Sequence, residues 1–382
     1  MGAYNATCCP DHRTGCAVGY ACVGDSFCQA QHSTDPLVQR MPRYPLCRIR
    51  DTSLLQLRGL LVRENHLLAY FSSHGARENQ QAIVVVHGAA RNADDYFCTM
   101  LDLIDDSSMW VVAPWFLGED QTVDASFLSW NDLDARGSDN PWRYGAEARN
   151  SSISSFEAMD ALVDYLLQTT KHVTVVGHSA GGQFVQRWGL LSSLDAFRNR
   201  IRVVVTNPSS YAYLSPERYD EDRAQWMIPN AEKTCPEYNR WQWGLDVVPG
   251  NFSNIVPQYV KSAIIGMNGT DHLIHRFADR DIIYLVGGQD RCNVSQYDTD
   301  GWCFSHGLET TCMDLWQGTN RLERHVRYVE SMRRVGITQH RHSIVPNVGH
   351  DHSLMFHSNE GRNAILAAHE IAEMIRYDEA QS

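Results

Sequence analysis

Residues 173–188, VTVVGHSAGGQFVQRW, constrain this chain more than any other stretch. They read as a strand, a sharp turn and a helix. Thr174, Val175 and Val176 are β-branched and favour a strand, and residues 183–191 can form a helix. Between them stands Gly177-His178-Ser179-Ala180-Gly181, a G-x-S-x-G pattern. In such a turn the glycines leave room where strand and helix approach, and the serine hydroxyl is pushed into the open. A serine hydroxyl is a poor nucleophile at its free pKa, so it needs that exposure and a base within reach. The helix N-terminus offers unpaired backbone N–H groups to a developing oxyanion. Chance alone produces the pentapeptide in roughly one in ten chains of this length, so its weight comes from the strand before it and the helix after it.

The flanking chain repeats that alternation. Residues 54–62 and 66–72 alternate like two strands that open a sheet. Residues 82–86, AIVVV, are a continuous apolar run, as expected of a strand buried on both faces of a parallel sheet. Further strands are expected at 109–113, 202–206, 281–286 and 341–345. Helices are expected from residue 93 to about 105 with Asn92 as cap, and over 156–167, 320–334 and 364–377. Strands alternating with helices predict an α/β fold, a mostly parallel central β-sheet flanked by helices. With 43% of its 382 residues hydrophobic, the chain can fill such a core. Two stretches break the pattern. Residues 114–150 are irregular and carry Trp115, Trp130 and Trp142, the mark of a functional loop or an insertion. Residues 215–278, polar and aromatic, read as a cap inserted between strands.

The N-terminus differs again. Six of the eleven cysteines fall within residues 1–47. This spacing reads as a small disulfide-stapled segment in an oxidising compartment; adjacent Cys8-Cys9 and the lack of paired C-x₂-C spacing argue against zinc. A structural clasp is expected there rather than a carbohydrate-binding appendage, with the main domain at 48–382. N-x-S/T sequons stand at Asn5, Asn150, Asn251, Asn268 and Asn293. Together these features lead us to expect a secreted glycoprotein written without its signal peptide, against the alternative of a cytosolic protein with reduced cysteines. The charge balance, 33 basic against 45 acidic residues with no Lys/Arg block, speaks against nucleic acid as a partner. No apolar run approaches the ~20 residues that span a bilayer. Oligomeric state is left open.

In an open α/β sheet the site lies beyond the C-terminal ends of the strands. Ser179 ends the 173–177 strand, Asp290 follows the 281–286 strand after Gly287-Gly288-Gln289, and His350 follows the last strand in Val348-Gly349-His350. His87-Gly88-Ala89-Ala90 ends the 82–86 strand. This order of Ser, Asp and His resembles the α/β-hydrolase fold superfamily of serine esterases, lipases and peptidases. The resemblance covers roughly residues 52–377 and leaves the Cys-rich segment outside. It implies Ser179 as nucleophile, His350 as general base, and Asp290 as the group fixing the imidazole's tautomer. It implies an oxyanion hole from the N–H groups of Ala180 and Ala89, with Ala90 as the competing donor. His352 and His357 compete with His350, and Asp298 and Asp300 with Asp290. Asn207 occupies the strand end where a different acid position would fall. His87 and His178 are expected to orient loops. The reaction so implied is acyl transfer to water from a small or polymeric ester, with no metal or organic cofactor. An acyltransferase, a peptidase, and a binding protein on the same fold are the alternatives.

Overall fold

The computed structural model describes residues 20–23, 27–30, 56–73, 81–104, 109–121, 124–133, 140–230, 233–247, 256–266, 270–292 and 308–367. In the Cys-rich segment, β1 (Tyr20–Val23) and β2 (Phe27–Ala30) pair antiparallel, with Cys22 opposite Cys28 in the register. The rest of that segment lies outside the described residues, as do Asp298, Asp300 and every sequon asparagine but Asn150.

The main sheet is built from β3 (Arg58–Arg63), β4 (His66–Ser72), β5 (Gln81–Val86), β6 (Met109–Trp115), β7 (His172–His178), β8 (Ile201–Thr206), β11 (Asp281–Gly287) and β12 (Arg341–Val345). A separate hairpin joins β9 (Arg218–Asp220) and β10 (Gln225–Met227). The eight strands lie in the order β12-β11-β8-β7-β5-β6-β4-β3. β4 runs against both its neighbours, and every other pairing is parallel.

The apolar runs explain the layers. Val84, Val175 and Val203 face one core with α2 (Ser155–Leu167), α3 (Ala180–Leu191) and α7 (Arg321–Arg334). Val85, Val176 and Val204 face the other, against α1 (Ala93–Leu103), α8 (His352–His357) and α9 (Asn359–Leu366). All six valines are fully buried, and each such burial stabilises the fold by about 1.5–3 kcal/mol relative to exposure. The strand order reverses between β5 and β7: the chain leaves β5 for β6 on one side and resumes at β7 on the other. A crevice opens at such a switch point, beyond the C-terminal ends of the strands.

Two sequence expectations are corrected. Asn92 stands at the start of α1, but its side chain makes no cap bond; its amide donates to Asp95 Oδ2 at 2.9 Å. The last described helix starts at Asn359 rather than 364, because Ser358 Oγ caps it by accepting from Gly361 N at 2.9 Å. It ends at Leu366, Ala367 is extended, and residues 368–377 lie outside the described residues. The 114–150 loop is packed where it is described. Trp130 and Trp142 are fully buried, and Pro141–Tyr144 forms a short 3-10 helix.

Residues 215–278 lie in the crossover from β8 to β11. Its helices α4 (Gln258–Ile265) and α5 (Thr270–Ala278) rest on the α2–α3 layer. Tyr259 donates to Asp160 at 2.6 Å, and Arg276 to the Leu191 carbonyl at 3.1 Å. A disulfide from Cys235 to Cys312 ties this crossover to α6 (Cys312–Leu315). Cys98 and Cys292 are also disulfide-bonded. Among the described residues, no helix is long and apolar enough to cross a membrane.

Candidate active site

β7 ends at His178 and α3 begins at Ala180, so Ser179 alone makes the turn. Its φ of 58° and ψ of −119° cost a non-glycine residue about 1–3 kcal/mol. The surroundings hold it there. Ser179 N donates to the Thr206 carbonyl at 3.0 Å. Strand and helix meet so closely that a Cβ on Gly177 would lie 2.2 Å from the Gly181 carbonyl oxygen, and one on Gly181 2.3 Å from that of Val86.

Two other strand ends converge on the serine. His350 Nε2 lies 2.9 Å from Ser179 Oγ, and His350 Nδ1 lies 2.8 Å from Asp290 Oδ2. Their loops are bonded to one another, with Gly288 N donating to the Val345 carbonyl and Gln289 N to that of Val348, both at 2.8 Å. The competing histidines are engaged elsewhere. His352 bonds Thr99 Oγ1 at 3.1 Å, and His357 Nδ1 bonds the Ser353 carbonyl at 2.9 Å.

Asp290 is 1% exposed. Burial acts to raise its pKa, but the His350 and Arg321 charges and the bonds from His350 and Asn207 outweigh it, holding the carboxyl well below the usual range. Asn207 Nδ2 donates to Asp290 Oδ2 at 2.6 Å and to the Gly349 carbonyl at 3.2 Å, and Arg321 Nη1 stands 3.6 Å from Asp290 Oδ1. His350 is shifted down, first by burial and then by Arg321, against the pull of Asp290. At neutral pH the pair is therefore a carboxylate and a neutral imidazole. With Nδ1–H directed at Asp290, the Nε2 lone pair faces the serine hydroxyl.

The His87-Gly88 turn lies beside the serine, where a Cβ on Gly88 would stand 3.8 Å from Ser179 Cβ. His87 Nε2 accepts from Phe116 N at 3.1 Å, so Nδ1 carries the proton and donates to the Gly88 carbonyl at 2.8 Å. Burial, assisted by Arg91, lowers the His87 pKa to about 3, so the ring stays neutral and this tautomer is locked. The Gly88 carbonyl also accepts from Arg91 N at 3.1 Å. No described carbonyl accepts from the N–H of Ala89 or Ala180. Arg91, at φ 54°, sends its guanidinium to the carbonyls of Phe116, Trp130 and Asn131, binding this turn to the 114–150 loop.

Arg321 and Arg91 carry no motif that marks them in the sequence. Asn207 was visible by its place at a strand end, but its bond to Asp290 was not.

No protein-family model and no curated protein matches the chain. Among solved structures it is similar to a poly(3-hydroxybutyrate) depolymerase from Bordetella parapertussis, with 21% identity over 78% of this chain and 86% of that one, and a TM-score of 0.50. It is also similar to poly(aspartic acid) hydrolase-1 from Sphingomonas sp. KT-1, with 19% identity over 75% and 89% and a TM-score of 0.46. The mostly parallel eight-stranded sheet, its helices on both faces and the likeness to the depolymerase agree: this chain has the α/β-hydrolase fold.

Proposed function

We propose that the protein is a secreted serine hydrolase that cleaves carboxylic esters through an acyl-enzyme on Ser179. The observation that carries this reading is the run of two hydrogen bonds from Ser179 Oγ through His350 to the buried Asp290, 2.9 and 2.8 Å long. In the first half-reaction His350 Nε2 takes the Ser179 proton as the hydroxyl oxygen attacks the acyl carbon. The resulting oxyanion accepts from Ala180 N–H, at the positive end of α3, and from Ala89 N–H. His350 then gives its proton to the leaving alkoxide. In the second half-reaction His350 activates water, which attacks the acyl-enzyme and regenerates Ser179. Asp290 stabilises the imidazolium in both halves. Esters are the favoured acyl donors because an alkoxide leaves with less assistance than an amide nitrogen. The disulfide-bonded state of Cys98, Cys235, Cys292 and Cys312 supports an oxidising compartment.

The test is a rate panel of p-nitrophenyl esters from acetate to palmitate beside peptide p-nitroanilides, on wild type and Ser179→Ala. Ester turnover that Ser179→Ala abolishes is the expected result, and the optimum chain length reports pocket depth. Turnover of anilides alone would replace the esterase with a peptidase.

A further inference from the structure

Tyr96, on the first turn of α1, takes no part in the reaction above. It is 4% exposed, and its side chain meets the Gly88 turn after β5, His178 at the end of β7 and His352 at the start of α8. Its hydroxyl lies 3.1 Å from Nδ1 of His178, the residue before Ser179. A Cβ built on Gly88 would come 2.9 Å from that hydroxyl and 3.8 Å from Ser179 Cβ, so the hydroxyl backs onto the turn that carries Ala89. The ring stacks on His352, two residues beyond His350, with centroids 4.1 Å apart and planes 15° from parallel. The His178 ring in turn lies 4.7 Å from that of His350.

We propose that Tyr96 is a positioning residue that sets the spacing between the oxyanion turn, the serine turn and the histidine loop. The proposal rests on the serine-hydrolase reading. Burial keeps the phenol protonated well above its ordinary pKa, so it stays a neutral hydrogen-bonding group throughout the working pH range. The packing around Gly88 shows what the hydroxyl does. The next two heavy atoms from a Gly88 Cβ, Tyr96 Cζ and Ser179 Cβ, stand at 3.7 and 3.8 Å, ordinary contact distances, so of the three the hydroxyl is the one that a side chain there would displace. Tyr96 and Gly88 thus form a matched pair, a phenol oxygen seated where a Cβ would otherwise go. Donors to an oxyanion act only when they are held in place before the reaction. Displacement of the turn therefore lowers the rate of chemistry more than the binding of substrate.

The experiment is a double-mutant cycle in ester kinetics and thermal unfolding on the full chain: wild type, Tyr96→Phe, Gly88→Ala and both together, with Ser179→Ala as control. Phenylalanine keeps the stack on His352 and removes only the oxygen. Tyr96→Phe is expected to lower kcat about tenfold with KM within about twofold, since small misplacements near the chemistry act on the rate. Gly88→Ala is expected to lower kcat by about tenfold or more and to lower the unfolding midpoint as well. In the Tyr96→Phe background Gly88→Ala should cost little in either readout, because the atom it collides with is gone. Additive losses, or an unchanged kcat in Tyr96→Phe, would overturn the positioning role while leaving the Ser179 chemistry intact. Wild-type turnover that survives Ser179→Ala would bring down the serine-hydrolase reading itself, and the positioning role with it.

Discussion

Asp290 keeps a negative charge almost entirely out of water, and three groups make that tolerable. His350 and Asn207 bond Oδ2, and Arg321 stands opposite Oδ1. Asparagine in its place could still meet His350, but it would no longer enforce the Nδ1–H tautomer. Asp290→Asn is therefore expected to lower kcat by about 10⁴-fold; a loss under tenfold in steady-state ester kinetics would contradict the role. Arg321 has the opposite influence on His350. Its charge helps hold the His350 pKa below the ordinary 6.5, and the acid limb of kcat/KM reports that pKa in the free enzyme. The limb should thus have its midpoint below pH 6.5 in the wild type. Removing a positive charge favours imidazolium, so Arg321→Gln should move the midpoint to higher pH. A pH–rate profile that stays put or moves down would refute this.

The strand–turn–helix around Ser179 is the element whose form the sequence states most openly. Its two glycine contacts are with backbone, which cannot give way. Gly177→Ala would set a Cβ 2.2 Å from the Gly181 carbonyl oxygen, and strain of this kind costs about 1–3 kcal/mol or more. Gly189, in the same α3, is a contrast. A Cβ there would make only ordinary contacts, the nearest 3.4 Å from Val203. Alanine at that position gains about 1 kcal/mol of helix propensity. Denaturant midpoints should therefore fall sharply for Gly177→Ala and hold or rise for Gly189→Ala; equal effects would contradict the packing described. The same contrast shows where sequence legibility stops. The β5, β7 and β8 apolar runs, the turn at Ser179 and the strand-end positions of Asp290 and His350 were all readable, because period, glycine spacing and chain order are local properties. Arg91, Tyr96, Asn207 and Arg321 act across loops distant in the chain. No local pattern distinguishes a buried arginine that meets a carboxylate from one in water. One helix start was misplaced, because Ser358 starts α9 early, and at Asn92 the start was right but the side chain turns its amide to Asp95 instead of capping.

Over the whole molecule, buried histidines tie stability to pH. Burial lowers His87 and His325 to about 3 and His340 to about 4. All three stay neutral in the folded chain while they charge near pH 6.5 when it unfolds. Above pH 6.5 neither state binds these protons and stability is at its full value. As pH falls below 6.5 the unfolded chain binds more protons than the folded one, so stability is lost continuously down to the folded pKa values. Each group contributes up to about 1.4 kcal/mol per pH unit. Urea unfolding at pH 7.5 and pH 5 should show a clear drop in midpoint at pH 5, and equal midpoints would mean that these rings are not buried neutral.

The most direct test of the central claim is peptide mapping after treatment with a fluorophosphonate, which reports the activated nucleophile without a choice of substrate. A single adduct on Ser179, absent from Ser179→Ala and strongly slowed in His350→Ala, is the predicted result. An adduct on another serine, or no adduct on the folded wild-type chain, would contradict it.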